Sequence, residues 1–165
     1  MKAAELVEHL QLSKHVEGGY FRRLYEGQKQ HEGHHDMTAI YYLLTGDSPV
    51  DRWHINKSDI FHSHIRGGSL HYYVIHPDGH LPLLDVLPEH TVLEEVLTLV
   101  VPGGTWKAVL LEEGQEYGLI TEAVTPGFQY EDMTMATNEE IAHKFPQHQA
   151  TVDAVAARSN ADKPQ

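Results

Sequence analysis

From Gly18-Gly19 to Ala136 the chain is cut into short runs by turn signals, and this punctuation limits the fold more than any other feature. The runs are "YFRRLYE", "MTAIYYLLT", "SLHYYVIH", "LPLLDVL", "EEVLTLVVP", "WKAVLLE", "YGLITEAVT" and "FQYEDMTMA". Each is rich in β-branched, aromatic or aliphatic residues. Gly46-Asp47, Gly67-Gly68, Asp78-Gly79, Gly103-Gly104 and Pro126-Gly127 separate them. Eight or more short strands at this spacing form a sandwich or a barrel; a βαβ fold needs helical segments between its strands. "HPDGHL" is the sharpest hairpin signal, because Asp-Gly suits a type I′ turn.

Helices are expected only at the two ends. "KAAELVEHLQL" places Leu6, Val7 and Leu10 on one face of a short amphipathic helix. Thr137 with Glu140 forms a capping-box pattern opening "NEEIAHKF", Pro146 stops that helix, and "QHQATVDAVAA" makes another. No internal repeat or linker interrupts the chain. Residues 1–157 read as one domain and 158–165 as a polar, disordered tail. "EGQKQHEGHHD", with His31, His34 and His35, reads as a solvated loop.

Composition removes several functions. The formal charge of −12, from 24 acidic and 12 basic residues, repels phosphate backbones and argues against a nucleic-acid partner. The absence of cysteine rules out disulfides and thiolate chemistry and fits a cytoplasmic protein. No apolar run approaches the roughly 20 residues of a membrane helix, and "MKAAELVEHLQL" carries too much charge for a secretory signal.

Two segments carry a family likeness. "RWHINKSDIFHSHIRGG" and "VPGGTWKAVLL" resemble the two cupin motifs, His-x-His with a following acid and Gly, and Pro-x-Gly-x-x-His. Together with "EGGYFRRLY", "TAIYYLL" and "TPGFQYEDM" they resemble one family of small single-domain cupins, the fifth, over roughly residues 4–145. The resemblance implies an antiparallel jelly-roll barrel with a central pocket, commonly a homodimer. A barrel with apolar runs such as "TAIYYLLT" must also close or pair its edges.

Aligned on those motifs, the two histidine positions of the first fall on Arg52 and His54, the acid on Asp59, and the histidine of the second on Lys107. Arg and Lys are cations that would repel a divalent ion. Strand alternation puts Asp59 on one face with Phe61 and Ser63, and His62 and His64 on the other. With Asp59 inward, His62 faces out unless a β-bulge breaks the alternation, and neither a metal nor another cofactor is expected. The same cavity would suit a small anionic or sugar-like molecule, gripped by Arg52 and Lys107 between flat walls drawn from Trp53, Trp106, Phe61, Tyr73 and Tyr20. The competing role for Arg52 is a structural ion pair with Asp59 or Asp51, and for the tryptophans, core.

Three functions remain. The first is a metal-independent enzyme resembling sugar epimerases and isomerases, with His54 as general base and Asp59 orienting it. The second is a ligand-sensing module without catalysis. The third is a metal-dependent oxygenase or isomerase, which the ligand count opposes. Arg22 and Arg23 alternate in "EGGYFRRLYE", so one can face the pocket, while Glu131 and Asp132 are expected to pair with arginines.

Overall fold

A computed structural model describes residues 2–76 and 90–159. A short helix α1 (Ala3–His9) opens the chain. Strands follow: β1 (Ser13–Lys14), β2 (Tyr20–Glu26), β3 (Gln30–His31), β4 (His34–His35), β5 (Thr38–Thr45), β6 (Val50–Asn56) and β7 (Asp59–Gly67). Then come β8 (Leu70–Ile75), β9 (His90–Leu93), β10 (Thr98–Val101), β11 (Trp106–Leu111), β12 (Tyr117–Thr125) and β13 (Met133–Met135), before α2 (Asn138–Lys144) and α3 (Gln149–Ser159). The expected strand "LPLLDVL" and the Asp78-Gly79 turn lie outside the described residues.

Among the described residues all strand pairings are antiparallel. Six strands form one sheet in the order β1-β2-β5-β12-β7-β10, and five form a second in the order β13-β6-β11-β8-β9. Non-consecutive neighbours in both orders are the mark of a jelly roll. β3 and β4 make a small hairpin inside the segment read as a loop.

Three apolar layers hold the molecule together. Between the sheets lie Tyr42, Leu44, Tyr72, Val74, Val109 and Ile120. Outside the six-stranded sheet, Leu6 of α1 packs on Leu43 and Leu119. Outside the five-stranded sheet, Ile141, Val152 and Val155 of the C-terminal helices, with Phe145 just after α2, cover Trp53, Trp106, Ala108 and Leu110. Each large side chain taken fully out of water contributes about 1.5–3 kcal/mol. The capping box at α2 forms as its residues suggest: Glu140 N–H donates to Thr137 Oγ1 at 3.2 Å, and Thr137 N–H to Glu140 Oε2 at 2.7 Å. Among the described residues no helix is long and apolar enough to cross a membrane.

With both of its faces covered, β11 is buried along its whole length. Its odd and even positions therefore both look like core. Only the pairing shows that Trp106 and Ala108 face the helices while Lys107 faces the barrel interior.

Candidate functional site

A cleft of about 430 Å³, counted out to its open mouth, remains between the sheets. Phe21, Ile40, Ile60, Val124 and Phe128 form apolar walls, and Glu17, His54, Asn56, Lys107 and Glu122 supply polar groups at its floor.

A β-bulge builds that floor. β6 and β11 pair Lys107 with His54 and Val109 with Asp51, so two steps along β11 span three along β6. The extra residue breaks the alternation of faces. Asp51 and His54, three apart in sequence, both point inward at 1% exposure, while Arg52 is turned to solvent and Trp53 to the helices. The backbone of Arg52 serves the site. Its N–H donates to Glu17 O at 2.9 Å, and its carbonyl accepts from His54 Nδ1 at 2.7 Å. With its proton on Nδ1, His54 keeps a lone pair on Nε2, 3.6 Å from Glu17 Oε1.

Glu17 reaches the floor from the loop before β2 because two glycines follow it. Gly18 has φ +120°, and a Cβ there would sit 2.0 Å from Val50 O. Gly19 has φ +62°, and its Cβ would meet Leu43 O at 2.6 Å. Only glycine permits this approach of the loop to β6 and β5. His15 Nδ1 lies 3.3 Å from Glu17 Oε2.

A second buried set lies across from the first. Lys107 Nζ donates to His62 Nε2 at 3.5 Å. His62 Nδ1 faces Glu122 Oε1 at 3.3 Å and the Tyr72 hydroxyl at 3.0 Å. The neutral tautomer with its proton on Nδ1 satisfies this arrangement. Burial holds His62 down to about 4, with the Lys107 ammonium adding to the effect. Burial alone would raise Glu122, but Lys107 and then His62 outweigh it and hold the carboxyl far below the usual range. In the first set burial lowers His54 despite Glu17, so this imidazole is neutral at pH 7. Glu17 is pushed up by burial and pulled down further by His54, His15 and Lys107. Burial, followed by the Glu17 charge, drives Asp51 well above the carboxylate range.

Of the residues singled out in the sequence, His54 and Lys107 line the cleft as direct cross-strand partners. Arg52 does not, because the bulge extrudes it. Asp59 is exposed and accepts from Gly103 N–H at 2.7 Å, closing the turn before β11. The faces of β7 alternate as expected but with the opposite phase, so Ile60 and His62 point inward and Phe61 is 46% exposed outside. Trp53 and Trp106 are core beneath the helices; Tyr73 packs on that outer side and stacks on His90 with ring centroids 4.7 Å apart. Tyr20 packs in the layer under α1, its hydroxyl on Asp47 at 3.3 Å. Of the two arginines, Arg23 faces the cleft and pairs with Glu26 at 3.4 Å. Asp132 pairs with Lys57 at 2.7 Å and His34 at 2.5 Å rather than with an arginine.

Glu17, Asp51, His62 and Glu122 were not singled out as site residues. Glu122 had a signal, a lone carboxylate in the apolar strand "YGLITEAVT", and Glu17 had another in the glycine pair after it. Asp51 had none, since the bulge leaves no mark in "VDRWHIN".

Two antiparallel sheets in jelly-roll order, with an open cleft floored by side chains of paired strands, define a cupin barrel. The chain belongs to the Cupin_5 family, the cupin superfamily group DUF985, which it matches over residues 4–136. It is 36% identical over 154 residues to the uncharacterized protein YML079W of Saccharomyces cerevisiae, covering 82% of this chain and 76% of that one. A hypothetical protein from Leishmania major superposes with a TM-score of 0.79 at 28% identity, over 93% of this chain and 98% of its own. Protein SO0799 from Shewanella oneidensis shares the fold, with a TM-score of 0.76 at 24% identity over 100% and 99% of the two chains.

Proposed function

We propose that the cleft binds a small polyhydroxylated, sugar-like molecule. The observation that carries this reading is the character of the floor. Donors and acceptors of both signs, Lys107 with Glu17, Glu122 and Asn56, meet between the apolar walls at Phe21 and Phe128. Asn56 is 7% exposed, and its Oδ1 has no hydrogen-bond partner among the described residues, so a ligand hydroxyl would complete it. A hydroxyl both donates and accepts, and so fits a mixed floor that a dianion would not. Arg52 lies outside and two carboxylates lie inside, which weakens the expected pull on anions. Arg23 near Phe21 remains the group that a ligand carboxylate would meet.

The test is a thermal-shift and calorimetric panel of neutral aldoses and polyols, uronic acids and sugar phosphates. Neutral sugars and uronic acids are expected to bind, and Glu17→Gln to weaken them. Binding confined to sugar phosphates would overturn the reading. A second reading, proton transfer by His54, is favoured by the Nδ1–H bond to Arg52 O, which leaves Nε2 free as a base. Turnover of a bound sugar that His54→Gln abolishes would establish it, and ligand binding without turnover would leave a sensing module.

A further inference from the structure

Three buried donors at the cleft floor converge on one point. One oxygen each of Glu17 and Asp51 and one ring nitrogen of His54 lie within 4.8 Å of one another, and all three residues are buried. A cluster of this kind needs an independent sign that something belongs in it, and Asp51 provides one. This side chain is 1% exposed, and its Oδ1, 3.4 Å from His54 Nδ1, whose proton goes to Arg52 O, makes no hydrogen bond among the described residues. Buried polar atoms are nearly always satisfied, so an orphan here points to an absent group. His54 is also held as metal-ligating imidazoles are held. Its Nδ1–H rests on a backbone carbonyl, that of Arg52, and its Nε2 faces the Glu17 carboxylate. The charges point the same way. Among the described residues, three buried carboxylates, Glu17, Asp51 and Glu122, share the molecule with one buried ammonium, Lys107. With Asp51 ionised, as it would be on a bound ion, two formal negative charges are left over for a dication to neutralise.

We propose that Glu17, Asp51 and His54 bind one divalent first-row metal ion, such as Mn²⁺ or Zn²⁺, with its remaining coordination positions open to the cleft. Two carboxylates and one imidazole are a donor set suited to such ions. The expectation of a metal-free interior counted donors at the motif positions Arg52, His54, Asp59 and Lys107. Glu17 and Asp51 lie outside those positions, one delivered by the glycine loop and the other by the bulge. Oxygen atoms of a sugar-like ligand would fill the open positions. The site shares its cleft with the ligand reading but is tested with metal ions alone, so either can fail without the other.

The experiment uses the full chain, made without a polyhistidine tag, stripped with chelator and titrated with MnCl₂ and ZnCl₂ by calorimetry. One ion per chain is expected, with a rise in Tm. Asp51→Asn, a near-isosteric change, should weaken binding at least about tenfold, as should Glu17→Gln. The double variant His71→Ala/His90→Ala, which removes a surface histidine pair, should leave binding unchanged. The electron-spin-echo spectrum of the bound Mn²⁺ should show coupling to one imidazole nitrogen, and this holds for the unmutated protein even where a variant fails to fold. No saturable binding, full-strength binding in Asp51→Asn and Glu17→Gln, loss of binding in the surface double variant, or an absent nitrogen coupling would each overturn the proposal.

Discussion

Replacing Lys107 by Met tests whether the interior is held by paired charges. Lys107 is 2% exposed and Glu122 8%, and the ring of His62 lies between them, 3.5 Å from one and 3.3 Å from the other. Met keeps the length of the side chain and removes its charge. Glu122 then remains buried without its main counter-charge, and His62 Nε2 without its donor. Breaking a buried pair from one side costs about 3–5 kcal/mol, because the surviving charge is uncompensated. For a domain of this size that corresponds to a fall in Tm of roughly 10 °C. Glu122→Gln should cost a similar amount from the other side. The double variant Lys107→Met/Glu122→Gln leaves neither charge stranded, so its loss should fall short of the sum of the singles by about 2 kcal/mol or more. Urea denaturation at pH 7 in the presence of chelator, with two probes to check two-state behaviour, gives the coupling energy. Losses that add to within about 0.5 kcal/mol would refute the pairing.

Acid should destabilise the fold before the carboxylates titrate. His62 is held at about 4 in the folded chain against an ordinary 6.5, so between these values the unfolded chain carries the extra proton. The contribution of His62 is then full above pH 6.5 and falls by about 1.4 kcal/mol per unit on acidification toward pH 4. Glu122, held below its ordinary value, adds a loss of the same sign at lower pH. His62→Gln should flatten the upper part of this profile, and stability that is level from pH 7 to 5 in the unmutated protein would count against a neutral buried His62. Gly18→Ala should cost well over 1 kcal/mol, since φ +120° and a Cβ at 2.0 Å from Val50 O leave no room. It should also weaken cleft ligands by displacing Glu17, and unchanged stability would refute the close approach of the loop to β6.

The barrel was legible because turn residues and short β-rich runs report on local backbone geometry, and so do helix caps. Thr137 and Glu140 are three residues apart and satisfy each other directly, so their pattern survives folding unchanged. The phase of β7 was not legible. "DIFHSH" alternates between Asp59, Phe61 and Ser63 on one face and Ile60, His62 and His64 on the other. Each face mixes apolar with polar residues, so hydrophobicity does not choose the inner one. The choice falls to tertiary contacts, Asp59 closing the turn at Gly103 and His62 joining Lys107 and Glu122.

The bulge in β6 was hidden more deeply, and it changes what the motif residues mean. Aligned by spacing, Arg52 occupies a ligand position and invites a reading by its charge. Once β6 carries one residue more than β11 across this span, the side chain of Arg52 leaves the interior and its peptide groups remain. The N–H fixes Glu17 and the carbonyl fixes the tautomer of His54. Backbone groups do not depend on side-chain identity, so this role is invisible to any argument from residue type. It also separates two perturbations that look alike in sequence. Arg52→Ala removes an exposed cation and leaves both hydrogen bonds, whereas Arg52→Pro would delete the N–H that holds Glu17. The interior can therefore exchange this motif side chain, whose guanidinium reaches the Val16 carbonyl at 3.5 Å, while the bulge and the glycine loop still bring Glu17, Asp51 and His54 together.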